Sequence, residues 1–537
     1  MKRLSALVLG VLAGSALAGP PQDARRERPD DAPRIPATLE APGIPYWGRS
    51  FPFTVQANVS PGQLNIVGDA ANEPSIAVDP TARNRIVVGW RQFDTVSSNF
   101  RQAGVAYSRD GGRTWTKGTL NPGVFRSDPV LRAAPDGTII YNSLTSDSVY
   151  HCVLFRSTNG GQTWAPPVDF GGGDKQWMCV DPTAGVGRGN IYAHWTNYFS
   201  CCGDNDFTRS TNGGDTCINP PLRIATTPFW GTCVVDRQGR LYVSGSDGGI
   251  AFTVARSSNA QNPGQTPVFE QTPVGISLGG DINGFDGNSP NPGGLLGQVN
   301  IGTDRSNGPH GGRVYLLASV GPFGADPMNV MIAHSDDGGS TWSSPRKVNP
   351  EGPNANAFQW FGTMSVAPSG RVDVVYNDTQ GTGAVNRSIT KYTSSSDGGM
   401  TWTAPMELGP VWDSWIGWPN QSKIGDYYDL ESDDAGAFLV YAATYNGEQD
   451  VYVARLGDYD CNGDGIPDAA QIADGSACDC NGNGIPDSCE IAAGTATDDD
   501  HDGVPDACRA CPADFNGDGF LDFFDYDGFV TCFEGGR

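Results

Sequence analysis

The sequence is poor in basic residues, histidine and long apolar runs, and each shortage argues against a class of function. Lys and Arg number 35 against 60 Asp and Glu, a formal charge of −25, which disfavours nucleic acid because its binding requires a basic surface. The five histidines have no metal-ligand spacing. Beyond the N-terminal residues, no stretch approaches the ~20 apolar residues of a membrane span. A Gly-rich phosphate loop and a Ser-His-Asp order are also lacking. Because amphipathic helical periods are hard to find, an all-β fold is predicted.

Glycine and proline are abundant instead, with 72 and 39 residues, and they separate many short segments rather than forming one tract. At the N terminus, a basic pair, an apolar run and a small-residue cleavage site predict a signal peptide over residues 1–18, cleaved after Ala18. The mature protein is therefore expected to be secreted. Residues 19–50 are rich in proline and predict a linker.

The 13 cysteines suit an oxidising compartment, with six before residue 240 and seven after residue 460. Their odd number leaves at least one thiol unpaired or in an intermolecular bond. Spacing alone leaves the connectivity open, and the adjacent Cys201 and Cys202 are each able to bridge elsewhere.

One phrase, Ser-x-Asp/Asn-Gly-Gly-x-Thr-Trp/Cys, recurs along the chain. Its copies are Ser108–Trp115, Ser157–Trp164, Ser210–Cys217, Ser335–Trp342 and Ser395–Trp402. Asp or Asn bonds the backbone nearby, and the glycine pair supplies positive φ, so each copy predicts a hairpin corner. A repeat of this kind indicates units that bury their apolar faces against their neighbours, with the tryptophan available to pack between them.

The phrase resembles the Asp-box (BNR) repeat of the sialidase superfamily of β-propellers. The resemblance implies four-stranded antiparallel blades, with the corners at the blade periphery and their aspartates structural rather than catalytic.

Seven sets of strands are predicted between residues 51 and 457. The inner strands begin near Glu73, Asp128, Gln176, Trp230, Gln298, Phe361 and Gly425. A decayed corner lies at Ser257–Asn259, and the seventh set lacks a fourth strand. The strand predicted at Phe51–Val59 is able to supply it and so close the ring. Seven blades are therefore preferred to the six of typical sialidases, with six kept as the alternative.

After residue 457 the composition changes abruptly, because residues 458–537 hold 19 acidic residues against two Arg. Three repeats of the form Asp-x-Asn/Asp-x-Asp/Asn-Gly-x-x-Asp fill residues 458–513 and resemble thrombospondin type 3 calcium repeats. The Ile/Val-Pro that follows each Gly is expected to oppose a helix. A fourth copy, in residues 514–537, looks like half of a dockerin or EF-hand.

Oxygen ligands at positions 1, 3, 5 and 9 of each repeat suit Ca²⁺, which takes six to eight oxygens. The alternative is a solvated acidic linker. Position 12 is acidic only in the second and fourth copies. The candidate ligands are Asp460, Asn462, Asp464, Asp468, Asp479, Asn481, Asn483, Asp487, Glu490, Asp498, Asp500, Asp502, Asp506, Asp514, Asn516, Asp518, Asp522 and Asp525. Calcium and disulfides are expected to replace the hydrophobic core that so polar a segment lacks.

A propeller binds ligands at the mouth of its axial channel, where the inner strands begin. The residues there are polar and aromatic. The catalytic candidates are Glu73, Asp128, Asp174, Asp426 and Tyr427, and the ligand-binding candidates are Arg91, Lys175, Trp177, Trp230, Gln359 and Trp360. Paired carboxylates with aromatic rings are what glycoside hydrolysis requires. The alternative is that these groups cap strands and hydrogen-bond one another around the axis. The tryptophans Trp412, Trp415 and Trp418 are candidates either for a sugar platform or for packing.

The sialidase resemblance implies three arginines on the substrate carboxylate, the first in an Arg-Ile-Pro motif. Arg34–Pro36 matches this motif but lies in the predicted linker, and Arg91, Arg132 and Arg371 have no family motif around them. The catalytic residues therefore do not transfer from the family to this chain. The preferred function is binding of an extracellular glycan or protein in the axial mouth, with the tail as a spacer or as an attachment to a cell surface or scaffold. The alternative is an exo-sialidase-type glycoside hydrolase.

Overall fold

The computed structural model describes residues 38–41, 53–197, 200–246, 251–270, 275–282, 286–323, 326–352, 357–457, 461–462, 468–481, 485–494, 496–499, 501 and 503–509. The predicted signal peptide, most of the predicted linker and the fourth calcium repeat lie outside the described residues. No helix among those described is long and apolar enough to cross a membrane.

The chain forms a β-propeller of seven antiparallel blades, as predicted. Three short strands precede blade 1: β1 (Leu39–Ala41), β2 (Thr54–Gln56) and β3 (Asn65–Val67). Blade 1 contains β4 (Ala70–Val78), β5 (Ile86–Phe93), β6 (Arg101–Ser108) and β7 (Thr116–Leu120). Blade 2 contains β8 (Ser127–Ala133), β9 (Ile139–Ser146), β10 (Tyr150–Ser157) and β11 (Val168–Asp169).

Blades 3 and 4 have shorter strands. Blade 3 contains β12 (Trp177–Val180), β13 (Ile191–His194) and β14 (Phe207–Ser210), and blade 4 contains β15 (Cys233–Val235), β16 (Leu241–Ser246) and β17 (Phe252–Ser257). Isolated bridges at Leu222 and Glu270 pair with their third strands at the outer position.

Blades 5 to 7 complete the ring. Blade 5 contains β18 (Asp281–Ile282), β19 (Asn300–Thr303), β20 (Val314–Gly321), β21 (Asn329–Ser335) and β22 (Arg346–Lys347). Blade 6 contains β23 (Gln359–Val366), β24 (Val372–Asp378), β25 (Arg387–Ser395), β26 (Met406–Glu407) and β27 (Trp412–Asp413). Blade 7 contains β28 (Asp429–Ser432), β29 (Gly436–Ala443) and β30 (Asp450–Gly457).

The ring closes between the first and last parts of the propeller. The strand β2 pairs antiparallel with β30, with Thr54 opposite Ala454, and becomes the outer strand of blade 7. The prediction that the Phe51–Val59 segment supplies this strand is confirmed. Closure pairs strand edges that would otherwise remain open to association.

The core lies between the blades, where tryptophans from the corners pack against the preceding blade. Trp115 is buried with Val440 and Val453 of blade 7, and Trp164 of the blade 2 corner packs against a cluster that includes Val87 and Val105 of blade 1. The predicted role of these tryptophans in joining neighbouring units is thus confirmed.

The five corners share two local hydrogen bonds, one from the second glycine amide to the serine hydroxyl and one from the threonine amide to the Asp or Asn side-chain oxygen. In the first corner, the amide of Gly112 donates to Ser108 Oγ at 2.8 Å, and the amide and hydroxyl of Thr114 donate to the Asp110 carboxylate at 3.0 and 2.6 Å. The decayed corner keeps part of this scheme, because the Ala260 amide donates to Ser257 Oγ at 3.1 Å. The aspartates therefore hold the turn.

Arginines then fasten several corners to the preceding blade. Arg156 donates to the Gly213 carbonyl at 3.1 Å, Arg256 to Gly338 at 2.7 Å and Arg313 to Gly398 at 2.9 Å.

The tail contains the short helices α1 (Asp468–Asp474) and α2 (Asp487–Ala493) and a 3-10 helix (Asp506–Arg509). The expectation that proline opposes a helix here was wrong. Pro486 stands immediately before α2, where its missing N–H removes no intrahelical bond. A disulfide between Cys461 and Cys489 joins the first two repeats.

Candidate functional site on the propeller axis

A left-handed backbone residue occurs at the beginning, or head, of the inner strand in every blade. These residues are Glu73 (φ 49°), Asp128 (46°), Lys175 (53°), Trp230 (55°), Gly297 (141°), Phe361 (56°) and Gly425 (97°). In blades 1, 2 and 6 the position coincides with a shift in strand register, which is typical of a β-bulge that redirects side chains. Five of the seven are not glycine, so the propeller maintains a conformation that costs about 1–3 kcal/mol at each such residue.

Lys175 is the centre of a group of buried charges at the heads of the inner strands. Its Nζ lies 2.7 Å from Asp426, 3.2 Å from Asp128 and 3.7 Å from Asp174. Its side chain is 4% exposed. Because these carboxylates belong to blades 2, 3 and 7, one ammonium group links three blades across the axis.

Lys423 and Arg91 extend the same group to blade 1. Lys423 Nζ lies 2.8 Å from Asp426 and 3.5 Å from Glu73, and Arg91 Nε lies 3.3 Å from Glu73. Arg91 also donates to Asn72 at 2.8 Å. We call Glu73, Arg91, Asp128, Asp174, Lys175, Lys423 and Asp426 the axial charge cluster. It brings together six residues that the sequence had suggested for catalysis or ligand binding.

Burial and ion pairing set the protonation of this cluster. Burial raises the pKa of Glu73 well above its usual value, although Arg91 opposes the shift. For Lys175 burial lowers the pKa, but Asp128, Asp174, Asp426 and Glu73 outweigh it, so the pKa lies well above the ordinary value. The Lys175 ammonium therefore stays charged and holds its carboxylates in fixed pairs.

Tyr427, the candidate nucleophile, lies beside the cluster. Its hydroxyl donates to the Pro129 carbonyl at 2.9 Å, and burial raises its pKa well above the usual value. Its ring meets Trp177 edge-on at 5.5 Å, and the Arg132 guanidinium lies 5.3 Å from the Trp177 ring. The phenol is thus a protonated donor that packs on the axis.

Beyond this aromatic pair, towards the ends of the inner strands, lies a cavity of about 210 Å³. Its polar lining includes Arg132, Asn300, Arg305, Asp429 and Glu431. We call it the axial cavity. It is smaller than the ~300–1,000 Å³ of usual ligand pockets, so it has room for one sugar ring or one side chain rather than an extended ligand.

The charges of the axial cavity are less completely paired than those of the cluster. Arg132 forms two hydrogen bonds with Asp429, at 2.7 and 3.4 Å. Arg305 donates to the Val235 carbonyl at 3.3 Å. Burial raises the pKa of Glu431 to about 7, with Arg132 opposing the shift. The cavity therefore offers cationic donors beside a carboxyl group that titrates near neutrality.

The sequence patterns did not indicate Lys423, Arg305, Asp429 and Glu431 as axial residues. Asp429 and Glu431 are two positions apart in β28 and share one face of the strand, a signal that was available. The strand itself was predicted four residues too early, at Gly425. Lys423 and Arg305 lie in connections, where periodicity does not indicate the direction of a side chain.

The remaining ligand-binding candidates do not line the axial cavity. Gln359 donates to Asp378 at 2.9 Å and Trp360 to Ser388 at 3.0 Å, and both are fully buried inside blade 6. Trp230 is half-buried and packs with the blade 4 and 5 core. Their aromatic and amide groups thus serve packing and strand pairing.

The three tryptophans before blade 7 differ in exposure. Trp412 is buried and donates to Thr390 at 3.2 Å. Trp418 donates to the Ser414 carbonyl at 2.8 Å, while Trp415 is 37% exposed. They do not form one flat platform of exposed rings.

The candidate arginines do not converge either. Arg91 lies in the axial charge cluster and Arg132 in the axial cavity. Arg371 binds Asp373 at 2.8 Å and carbonyls of blade 7. Arg34–Pro36 lies outside the described residues. No arginine triad is therefore formed within the part of the chain that the structure describes.

The tail repeats share a second local scheme. The carboxylate at position 9 accepts the amide of position 2 in all three copies: Asp468 from Cys461 at 2.9 Å, Asp487 from Cys480 at 3.0 Å and Asp506 from Asp499 at 3.2 Å. The described candidate ligands are Asn462, Asp468, Asp479, Asn481, Asp487, Glu490, Asp498 and Asp506; the other ten lie outside the described residues.

The second repeat contains a buried carboxylate at position 9, Asp487. Asp487 is 2% exposed, and its Oδ2 has no hydrogen-bond partner among the described residues. Asn481 donates to Glu490, at position 12, at 2.9 Å. A buried carboxylate oxygen left without a donor fits a loop whose oxygens bind a hard cation. Cys461 and Cys489, close to Asp468, are joined as a disulfide and so supply no thiolate ligand.

No protein-family model and no curated protein match the chain. Among solved structures, it is similar to a protein of unknown function from Dyadobacter fermentans DSM 18053, with TM-score 0.42 and 15% identity over 75% of this chain and 97% of that one. It is also similar to a Hadza microbial sialidase, with TM-score 0.38 and 15% identity over 72% of this chain and 66% of that one. A GH93 α-L-arabinofuranosidase of Fusarium graminearum gives TM-score 0.38 and 11% identity over 76% and 98%. Likenesses this distant do not indicate an activity.

Proposed function

We propose that this chain is a secreted, non-catalytic propeller that binds carbohydrate or protein at its axis and carries a calcium-binding tail. The observation that carries the proposal is the pairing of the axial carboxylates. Glycoside hydrolysis needs one carboxylic acid and one carboxylate that both reach the substrate. Asp128, Asp174 and Asp426 instead surround the buried ammonium of Lys175, which favours a role in holding the blades together.

Binding is better supported at the axial cavity than at the strand heads. The guanidinium groups of Arg132 and Arg305 are donors suited to hydroxyl, carbonyl or carboxylate oxygens, whereas the Asn300 amide already donates to the Gln298 and Gly362 carbonyls at 3.1 and 3.0 Å. The small volume favours recognition of a terminal sugar or a single side chain. An extracellular glycan or a protein with such a group is therefore the proposed ligand.

The first test separates binding from hydrolysis. The full chain, saturated with calcium, is assayed on a panel of fluorogenic glycosides that includes a sialoside, and on an array of glycans and extracellular proteins. We expect binding without turnover. Turnover that is lost in folded Glu73→Gln, Asp128→Asn, Asp174→Asn or Asp426→Asn variants would establish the hydrolase alternative instead.

A matched pair of variants locates the binding site. Arg305→Ala removes a donor from the axial cavity and should weaken binding at least tenfold, since a charged hydrogen bond contributes about 1.5–3 kcal/mol. Arg188→Ala removes an exposed arginine outside the cavity and should leave binding unchanged. Equal effects of the two variants would place the ligand elsewhere.

Calcium is proposed for the tail, where Asp487 and its counterparts would bind the ion. We expect titration calorimetry of the full chain to detect Ca²⁺ binding that Asp487→Ala weakens. Asp474→Ala is the control, because Asp474 is outside the ligand positions and accepts the Ser476 amide at 2.8 Å. If the wild-type chain takes up no Ca²⁺, this part of the proposal fails.

The proposed attachment of the tail to a cell surface or scaffold is tested by capture of extracellular matrix with and without chelator.

A further inference from the structure

Two cysteines that the proposed function does not use face each other across the boundary between blades 3 and 4. Cys179 lies in β12 and Cys233 begins β15, and these inner strands pack side by side at the axis. Both side chains are 6% exposed, and both line the axial cavity. The sequence had left every cysteine pairing open.

The two thiols are within contact distance of each other. The Cys179 and Cys233 side chains are within hydrogen-bonding reach. An independent contact agrees, because Cys233 Sγ lies 4.0 Å from the carbonyl oxygen of Tyr192, and Tyr192 is the cross-strand partner of Cys179. Cys179 and Cys233 are therefore neighbours on the adjacent inner strands of blades 3 and 4.

A metal site explains the pair less well than a covalent bond does. A structural zinc site needs four ligands. Among the described residues, neither thiol belongs to a group of three His, Cys, Asp or Glu ligand atoms that lie within 4.8 Å of one another. The other free cysteines of the propeller contact different backbone groups: Cys152 contacts the Gly173 carbonyl at 3.9 Å, and Cys217 contacts the Asp169 carbonyl at 3.8 Å.

We propose that Cys179 and Cys233 form a disulfide that joins blades 3 and 4 at the wall of the axial cavity. The bond forms by exchange with a small disulfide oxidant such as glutathione disulfide. One cysteine thiolate attacks the oxidant and releases one glutathione; the second thiolate then attacks the mixed disulfide and releases the other. The two cysteine thiols lose two electrons and two protons, and the oxidant is reduced to two thiols.

Burial indicates when this step takes place. Both cysteines belong to an apolar cluster that spans blades 2 to 4, and burial raises the pKa of the Cys179 thiol well above its usual value. Since the thiolate is the reactive form, oxidation belongs to the stage before these blades pack. The bond then fixes the spacing of two inner strands that shape the axial cavity.

Peptide mapping tests the pairing directly. The full chain is refolded with reduced and oxidised glutathione, alkylated in denaturant without reduction and digested with trypsin. We expect peptide 176–188 linked to peptide 224–237, and the link should disappear after reduction. Each of these peptides contains one cysteine. The Cys461–Cys489 bond of the tail, within peptide 456–509, is the control for oxidation.

Two results would overturn the proposal: alkylated Cys179 and Cys233 in a sample whose tail disulfide is intact, or a link from either residue to a different cysteine. Thiol counting in denaturant gives a second reading. If the bond exists, Cys179→Ser and Cys233→Ser each expose one thiol more than the wild type, and the double variant returns to the wild-type count. If the thiols are free, each single variant loses one thiol and the double variant loses two.

Discussion

Carboxylates occupy two repeated positions in this propeller, the corners at the rim and the heads of the inner strands at the axis. At the rim, Asp110 and Asp337 lie near solvent and accept hydrogen bonds from the backbone and hydroxyl groups of their own turns. At the axis, Asp128 and Asp426 are completely buried and pair with lysines from other blades. The same residue type thus stabilises a local turn in one place and joins distant parts of the chain in the other.

A repeated motif therefore does not identify the residues that join distant blades. The corner phrase is easy to recognise in the sequence because the hydrogen bonds of each copy join residues only a few positions apart. The axial charge cluster has no repeated phrase, because each blade contributes a different residue to one shared network. The ion pairs between its members become recognisable only when the blades close around the axis.

The largest expected effect is at the centre of the axis. Lys175→Met leaves three buried carboxylates without their common cation, and we expect the free energy of unfolding to fall by about 3–5 kcal/mol. Urea unfolding measures this fall in the free energy of unfolding. The control is Arg223→Met, which removes an exposed partner of Asp204 at 3.6 Å and should cost less than about 1 kcal/mol. Similar losses for the two variants would mean that burial does not distinguish the axis from the surface.

A smaller loss is expected from crowding at a strand head. An alanine Cβ at Gly425 would lie 2.7 Å from Glu73 Cγ, at a φ of +97°. We expect Gly425→Ala to cost about 1–3 kcal/mol. Gly447→Ala is the control, since its φ is +89° but no atom lies within 4 Å of the added Cβ. Thermal or urea unfolding measures both variants, and the difference between their losses gives the cost of the contact with Glu73 separately from the backbone strain. Equal losses would argue against tight packing at the head of the blade 7 inner strand.

A carboxyl group at the axis and one at the rim should also make the free energy of unfolding depend on pH with opposite signs. Glu431 has a folded pKa of about 7 against about 4.3 when unfolded. Between these values the unfolded chain releases a proton that the folded chain keeps, so stability falls as pH rises. Hydrogen bonds from Thr341 lower the pKa of Asp337 to about 2. Its contribution is present above about pH 3.9 and is lost as pH falls towards 2.

Urea unfolding at a series of pH values checks both signs. We expect Glu431→Gln to flatten the slope between pH 5 and 7, and Asp337→Asn to change the curve only below about pH 4. If Asp337→Asn altered the neutral range, or Glu431→Gln left it unchanged, the assignment of these slopes to axis and rim would be wrong.

The smallest effect is expected from amide replacement at the rim. Asp110→Asn should change stability by less than about 0.5 kcal/mol, because Asn159 and Asn212 already accept the equivalent threonine amides at 3.0 and 3.1 Å. Asp110→Ala should cost about 1 kcal/mol through lost hydrogen bonds. The same amide replacement at the axis, Asp426→Asn, should cost more than either, since it removes the charge that two lysines share. Chemical denaturation of the three variants ranks them, and a rim loss equal to the axial one would contradict the comparison.

The sequence was sufficient to predict the propeller, its seven blades and its closure by an N-terminal strand. Glycine pairs, turn residues and strand periodicity act over a few neighbouring residues, so their consequences can be read locally. It also indicated Glu73, Asp128, Asp174 and Asp426 as axial residues, because each stands where an inner strand begins.

Only the tertiary structure decided what these groups do. Lys175 and Lys423 reach the carboxylates from other blades, and the pairing buries charges that the sequence placed as far as 350 residues apart, as Glu73 and Lys423 are. Arg305 enters the axial cavity from a connection, and Cys179 meets Cys233 only because two inner strands lie side by side. Local chemistry determined the blades, whereas closure of the ring determined which charges, thiols and cavity the axis contains, because those contacts join segments that are distant in the chain.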